Sequence, residues 1–221
     1  MMVNGQLSRD FIMKRFRQRY YNCFSRIYDR FVALHSTDKG ARLRSFLADS
    51  TGLSKGDKVL DICTGTGTLL GYLREKVKEK GLVAGVDFSL GMVRIGKSKI
   101  LDQDVIVLVL ADVASLPFKD LIFDAVTCSH AFYELKGQTQ DWCLREICRV
   151  LKPGKPFLMM EHDVPRNFLV RMLFYVRLLS MGPAKAHEIL RHERELLLRY
   201  FSSVEKLQSP TGRSKVMICR A

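Results

Sequence analysis

Apolar and polar positions change period several times along the 221-residue chain, and each change predicts an element. Residues 7–34 place Phe11, Phe16, Tyr20, Phe24, Ile27 and Phe31 at helical spacing among arginines, which predicts one or two N-terminal helices. Residues 39–50 predict another helix, with Ala41, Leu43, Phe46 and Leu47 on its inner face. "SKGDK" then reads as a turn.

From Lys58 the chain alternates. Strands are predicted at Lys58–Ile62, Leu82–Val86, Val105–Leu110, Phe123–Cys128 and Pro156–Glu161. Helices are predicted at Thr68–Lys80, stopped by Gly81, at Leu90–Ile100, and at Gln138–Leu151, closed by "KPGKP". Nearly continuous apolar strands suit a sheet covered on both faces. Strand-to-helix alternation predicts an α/β fold with a doubly wound, mostly parallel sheet. Residues 166–200 read as helical, broken at "MGP", and the last eighteen residues read as two strands around Pro-Thr-Gly. The expectation is a seven-stranded sheet ending in an antiparallel hairpin. The organisation expected is a single domain over 1–221, with a helical cap at 1–50 and a helical insertion or lid at 165–200.

Composition narrows this little. A hydrophobic share of 47% and a charged share of 27% are those of an ordinary globular chain. No run of eighteen apolar residues predicts a spanning helix, and the start lacks the apolar core of a secretory signal. Six scattered cysteines without a CxxC pair read as reduced thiols. A cytoplasmic location is expected, with a membrane-peripheral one left open. The formal charge of +13 admits nucleic acid, an anionic membrane surface, or no such partner at all.

The chemistry is concentrated in "VLDICTGTGTLLGYL", where an apolar strand ends in Asp61 and runs into a glycine turn. A triphosphate loop needs a Lys after its last glycine, and Gly67 is followed by Thr68. A dinucleotide turn needs a third glycine, where Leu70 stands. S-adenosylmethionine carries an ammonium and a sulfonium, which an acid at Asp61 suits. Asp87 ends the next strand and can accept from both ribose hydroxyls. Asp112 follows the third strand, where an acid can accept from an adenine amino group while the next backbone N–H, that of Val113, meets a ring nitrogen.

These motifs, with "VAGVDFSLGMV", "LADVASLPFKDLIFDAVTCSHAFYEL" and "EICRVLKPGKPFLMME", resemble the class I S-adenosylmethionine-dependent methyltransferases, and within them the ubiquinone/menaquinone biosynthesis group. Lys155 stands where that group has a second glycine. The resemblance implies S-adenosyl-L-methionine as cofactor. It implies that Asp61, Thr64, Gly65 and Gly67 hold the methionine end and Asp87 the ribose. Phe88 and Met92 would lie against the adenine, unless they are core, and Asp112 with Val113 would hold its edge. Ser129 would bring backbone contacts to the ammonium, and Tyr28 would close over the cofactor or pack in an N-terminal helix.

Candidate bases lie after the fourth and fifth strands, in "SHAFYEL" and "MMEHDVP". His130 and His162 are the catalytic candidates, because imidazole titrates near neutral pH. No metal site is expected: Glu161, His162 and Asp163 alternate across a strand, and His187 and His192 are five apart. The apolar, arginine-studded stretch 165–183 reads as a core helix or as a lid over a lipophilic acceptor. The partner expected is therefore a small, apolar or aromatic molecule, a prenylated quinone precursor or a related lipid, with peripheral contact to an anionic membrane. An RNA or protein methyltransferase, a non-catalytic cofactor-binding protein and an NAD oxidoreductase are the alternatives. Base amino-methylation enzymes carry an Asn/Asp-Pro-Pro-Tyr loop where this chain has "SHAFYEL".

Overall fold

The computed structural model describes residues 18–22, 25, 42–100, 105–135, 137–163, 193–212 and 214–220. The elements run α1 (Arg42–Ser50), β1 (Lys58–Ile62), α2 (Thr68–Val77), β2 (Leu82–Asp87), α3 (Leu90–Lys99), β3 (Ile106–Leu110), β4 (Ala125–Ser129), α4 (Gln138–Val150), β5 (Pro156–His162), α5 (Glu193–Leu198), β6 (Ser203–Gln208) and β7 (Ser214–Arg220). A short helical stretch at residues 18–22 precedes them. Tyr28 and residues 164–192, the bulk of the expected insertion, lie outside the described residues.

The sheet has seven strands in the order β3-β2-β1-β4-β5-β7-β6. β1 to β5 are mutually parallel. β7 enters antiparallel against β5, and β6 lies antiparallel outside it. The expected doubly wound sheet with an antiparallel hairpin is thus the observed one. The strand order reverses at β1, where one run of strands leads outward to β3 and the other to β5. In such a sheet the crevice beyond the carboxyl ends, at that reversal, is where ligands bind.

Both faces are covered. Leu60, Ile62, Val126, Cys128, Phe157 and Met159 point to one core with α4. Val59, Ala125, Leu158 and Met160 point to the other, with Leu47 of α1 and Leu69, Leu70 and Leu73 of α2. That double burial is why the parallel strands read as unbroken apolar runs.

Boundaries moved where the backbone had a better bond to make. The helix expected to reach Lys80 ends at Val77, because Lys78 takes φ 59° and its N–H closes on Arg74 O. The fourth strand begins at Ala125 rather than Phe123, which makes an isolated bridge to Leu151 instead. The "SKGDK" turn is closed by Ser54 N–H on Asp57 Oδ2 (2.8 Å) and Asp57 N–H on Ser54 O (3.1 Å).

Candidate cofactor and acceptor site

The turn after β1 is built from alternating backbone conformations. Cys63, Gly65 and Gly67 have φ of 53°, 58° and 74°. Glycine adopts this left-handed region without the Cβ clash that other residues meet there. Gly67 N–H closes the turn on Thr64 O at 3.0 Å, and Thr64 N–H reaches Val86 O at 3.0 Å. The start of α2 is thereby set over the ends of β1 and β2.

Asp61 is 2% exposed. Burial pushes its carboxyl up to about 7, offset in part by the neighbouring Thr64 and Thr127 hydroxyls and reinforced by the Asp87 charge. Of the two hydroxyls only Thr127 meets hydrogen-bond geometry, donating to Asp61 Oδ1 at 2.7 Å. Thr64 Oγ1 is buried with no hydrogen-bond partner among the described residues. A buried carboxylate and an orphaned hydroxyl in one glycine turn form a site that a polar cation completes.

Asp87 links the turn to β2. Its Oδ2 accepts from Gly65 N–H at 2.9 Å and its Oδ1 from Ser89 N–H at 2.8 Å. Burial raises its pKa, and these N–H bonds pull it back. An ionised carboxylate has about four acceptor positions, so two remain for hydroxyl donors. Asp112 lies one residue past Ala111, whose N–H bonds Asp87 O at 3.1 Å. Asp112 Oδ1 accepts from Ala114 N–H at 3.1 Å. Val113 is buried in the core beside it.

Asp61, Thr64, Gly65, Gly67, Asp87 and Asp112 thus all stand at or just past the carboxyl ends of β1, β2 and β3. Met92 is buried, its N–H on Ser89 Oγ at 3.3 Å. Phe88 is half-buried and its ring lies edge-on to Tyr21, with centroids 5.7 Å apart. Asn22 Oδ1 accepts from Ser89 Oγ (2.7 Å) and Gly91 N–H (3.0 Å), and Gln18 Nε2 donates to Phe88 O (2.9 Å). The helical stretch near the N-terminus is therefore fastened to the turn that carries Asp87. Sequence reading missed Asn22 and Gln18, whose partners lie 67 to 70 residues away.

The two candidate bases stand at the ends of β4 and β5. Ser129 is half-buried, with its Oγ 3.2 Å from His130 Nδ1. His130 Nε2 is 3.2 Å from Ser214 Oγ, and its ring lies 4.6 Å from that of His162. His130 has φ 53°. Burial, His162 and the Arg44 charge push its pKa down to about 3, so it is neutral. His162 ends β5 with its side chain exposed.

On the other face, Glu161 is buried and accepts at Oε1 from Phe132 N–H (2.9 Å) and Tyr133 N–H (3.5 Å). Burial pushes it up to about 8; those bonds and Lys215 lower it, while Glu193 raises it. Tyr133 Oη donates to Glu193 Oε1 at 2.5 Å, and Lys215 Nζ donates to Glu193 Oε2. Lys215 and Glu193 were not picked out in the sequence. Lys215 shares the phase of Met217 and Cys219 in "SKVMICR", and that alternation was the available signal. Among the described residues no group of three His, Cys, Asp or Glu is placed to hold a metal, and no helix is long and apolar enough to cross a membrane. The cysteines at 63, 128, 143, 148 and 219 are free thiols.

A sheet of this order, with Asp61 and Asp87 at the carboxyl ends of β1 and β2 and Asp112 just past β3, has the fold of S-adenosylmethionine-dependent methyltransferases. One such enzyme from Aquifex aeolicus superposes with a TM-score of 0.63 at 22% identity, over 81% of this chain and 92% of its own. Residues 13–190 match the ubiE/COQ5 methyltransferase family, and the chain belongs to that family. A demethylmenaquinone methyltransferase of Staphylococcus epidermidis is 34% identical over 150 residues, 68% of this chain and 61% of that protein. The ubiquinone/menaquinone biosynthesis C-methyltransferase UbiE of Chromobacterium violaceum is 40% identical over 120 residues, 53% of this chain and 48% of that protein. The chain therefore spans about half to three fifths of the length of these curated relatives.

Proposed function

We propose that the protein transfers the methyl group of S-adenosylmethionine to a small apolar or aromatic acceptor, with a quinone precursor the first candidate. The observation that carries this reading is the buried Asp61 carboxylate beside the orphaned Thr64 hydroxyl, in a glycine turn of a ubiE/COQ5 family chain.

In this reading Asp61, Thr64, Gly65 and Gly67 hold the methionine end, and the Ser129 backbone meets its ammonium. Asp87 takes the ribose hydroxyls with its two remaining acceptor positions. Phe88 and Met92 flank the adenine, while the Asp112 carboxylate and the Val113 N–H take its edge. When bound, the cofactor supplies an activated methyl carbon. The chain's own work is to align the acceptor, exclude water and accept a proton.

His162 is the better placed proton acceptor, because its imidazole is exposed at the end of β5. A base with a pKa near 3 is too weak to hold a proton at neutral pH, so His130 acts as a neutral hydrogen-bond partner. The relatives' names support a lipophilic quinone acceptor, and the +13 charge fits peripheral contact with an anionic membrane.

Incubation with methyl-labelled cofactor and reduced demethylmenaquinone in detergent tests the acceptor. Labelled menaquinone is the expected product, with the rate reduced about 100-fold or more in His162→Gln. Label appearing only in added RNA or protein would overturn the quinone assignment.

A further inference from the structure

The Glu161 cluster lies on the sheet face opposite Asp61, since Glu161 shares the phase of Phe157 and Met159 while Asp61 shares that of Val59. Lys215 is the register partner of Glu161, and its Nζ sits 5.9 Å from the Tyr133 ring centroid. The side chains of Lys215 and Glu193 are 4% and 8% exposed. Asp163 and Lys206, paired at 2.8 Å, lie beside them. Removing ionic groups from water is costly even when they are paired, and a hydrophobic replacement is often as stable. Stability alone is therefore a weak reason for this cluster.

What the cluster grips is a single 3₁₀ turn, Phe132–Glu134. Glu161 holds its first two N–H groups, and Glu193 holds the Tyr133 hydroxyl. Two residues before that turn stands His130, in the left-handed conformation a β-carbon disfavours. Its N–H is tied to Met160 O at 2.7 Å. A backbone strained in this way persists only when its surroundings over-determine it.

We propose that Tyr133 and Glu193 are positioning residues for the His130–His162 pair. The buried network of Glu161, Tyr133, Glu193 and Lys215 clamps the turn after β4, and so keeps the His130 ring against His162. This rests on the reading of that pair as the acceptor-side groups, but its test observes the imidazoles directly. His130 is faced by His162 from β5, Arg44 from α1, and the Ser129 and Ser214 hydroxyls from β4 and β7. Tyr133 is faced by Glu193, Glu161, Asp163 and Lys215.

The experiment is proton NMR of the imidazole C2–H signals of the full chain from pH 5 to 8, for the parent, Tyr133→Phe and Glu193→Gln. His130→Gln and His162→Gln spectra assign the two signals. In the parent the His130 signal is expected to stay flat across this range. In Tyr133→Phe, which removes one hydroxyl, its midpoint should rise into this range, toward the ordinary value of about 6.5, so that the signal titrates where the parent's stays flat. Glu193→Gln should act in the same direction. Titration curves of Tyr133→Phe that superimpose on the parent's overturn the proposal, whether or not thermal stability falls. The rate of His162→Gln reports on the acceptor reading alone, so the two failures are separable.

Discussion

Gly65 donates its backbone N–H to Asp87 Oδ2 at 2.9 Å, and this one bond joins the glycine turn after β1 to the end of β2, 22 residues on. The carboxylate proposed for the ribose therefore also shapes the loop proposed for the methionine end. Asp87→Asn keeps the size and removes the charge. A hydrogen bond to a charged group contributes about 1.5–3 kcal/mol. S-adenosylhomocysteine binding should weaken by roughly 10-fold to 100-fold, with a lower thermal midpoint as well. Calorimetry and a thermal melt on the same sample check both, and wild-type affinity in this variant would separate Asp87 from the cofactor.

Thr64 gives a prediction of opposite signs. Its hydroxyl is buried and unsatisfied, which costs about 1–3 kcal/mol. Thr64→Val keeps the shape and removes that cost. The ligand-free protein should gain stability, on the order of 1 kcal/mol, while cofactor affinity falls. Urea unfolding with and without S-adenosylhomocysteine measures the two effects. A variant that loses stability and binds as before would mean that the hydroxyl serves the fold and not a ligand.

Gly85 is a steric test of the same wall. A Cβ there would come within 2.8 Å of Leu108 Cδ2, 2.9 Å of Leu70 Cδ1 and 3.0 Å of Thr64 Cγ2. Gly85→Ala overpacks a filled layer, and such changes cost about 1–3 kcal/mol. The displaced Thr64 should weaken cofactor binding beyond the loss of stability. Denaturant unfolding paired with calorimetry reads both, and a fully neutral substitution would contradict the packing.

Asp61 and Glu161 set the pH dependence. Both are raised by burial, from ordinary carboxyl values to about 7 and about 8. In that direction the native state holds protons that the unfolded chain releases, so stability falls as pH rises toward the folded values. His130 acts oppositely, being lowered from 6.5 to about 3, so its contribution is lost as pH falls through that interval. Between pH 6.5 and 8 the histidine's contribution is full and constant, so it adds no slope. The ligand-free thermal midpoint should therefore decline across that window, less steeply in Asp61→Asn and in Glu161→Gln. A rising midpoint there would contradict the burial of these acids.

The order of strands and helices was legible because burial on both faces writes continuous apolar runs into β1 to β5. The hairpin was legible from its turn residues. The positions of Asp61, Asp87 and Asp112 at the strand ends were legible because each ends or follows an apolar run. The clamp around Tyr133 was not, since Glu193 and Tyr133 are 60 residues apart and meet only once the sheet is assembled. Nor was the left-handed backbone of His130, which depends on what the surrounding structure holds in place. Asn22 likewise reaches Ser89 across 67 residues, through a fit that no local pattern encodes.

The most direct measurement is calorimetric titration of the purified chain with S-adenosylmethionine, S-adenosylhomocysteine and NAD, with Asp87→Ala as control. A crevice of this chemistry should bind the first two with a Kd on the order of micromolar, lose both in the variant, and leave NAD unbound. Binding of NAD with neither of the others would contradict the assignment of the glycine turn, and so would a parent protein that binds none of the three.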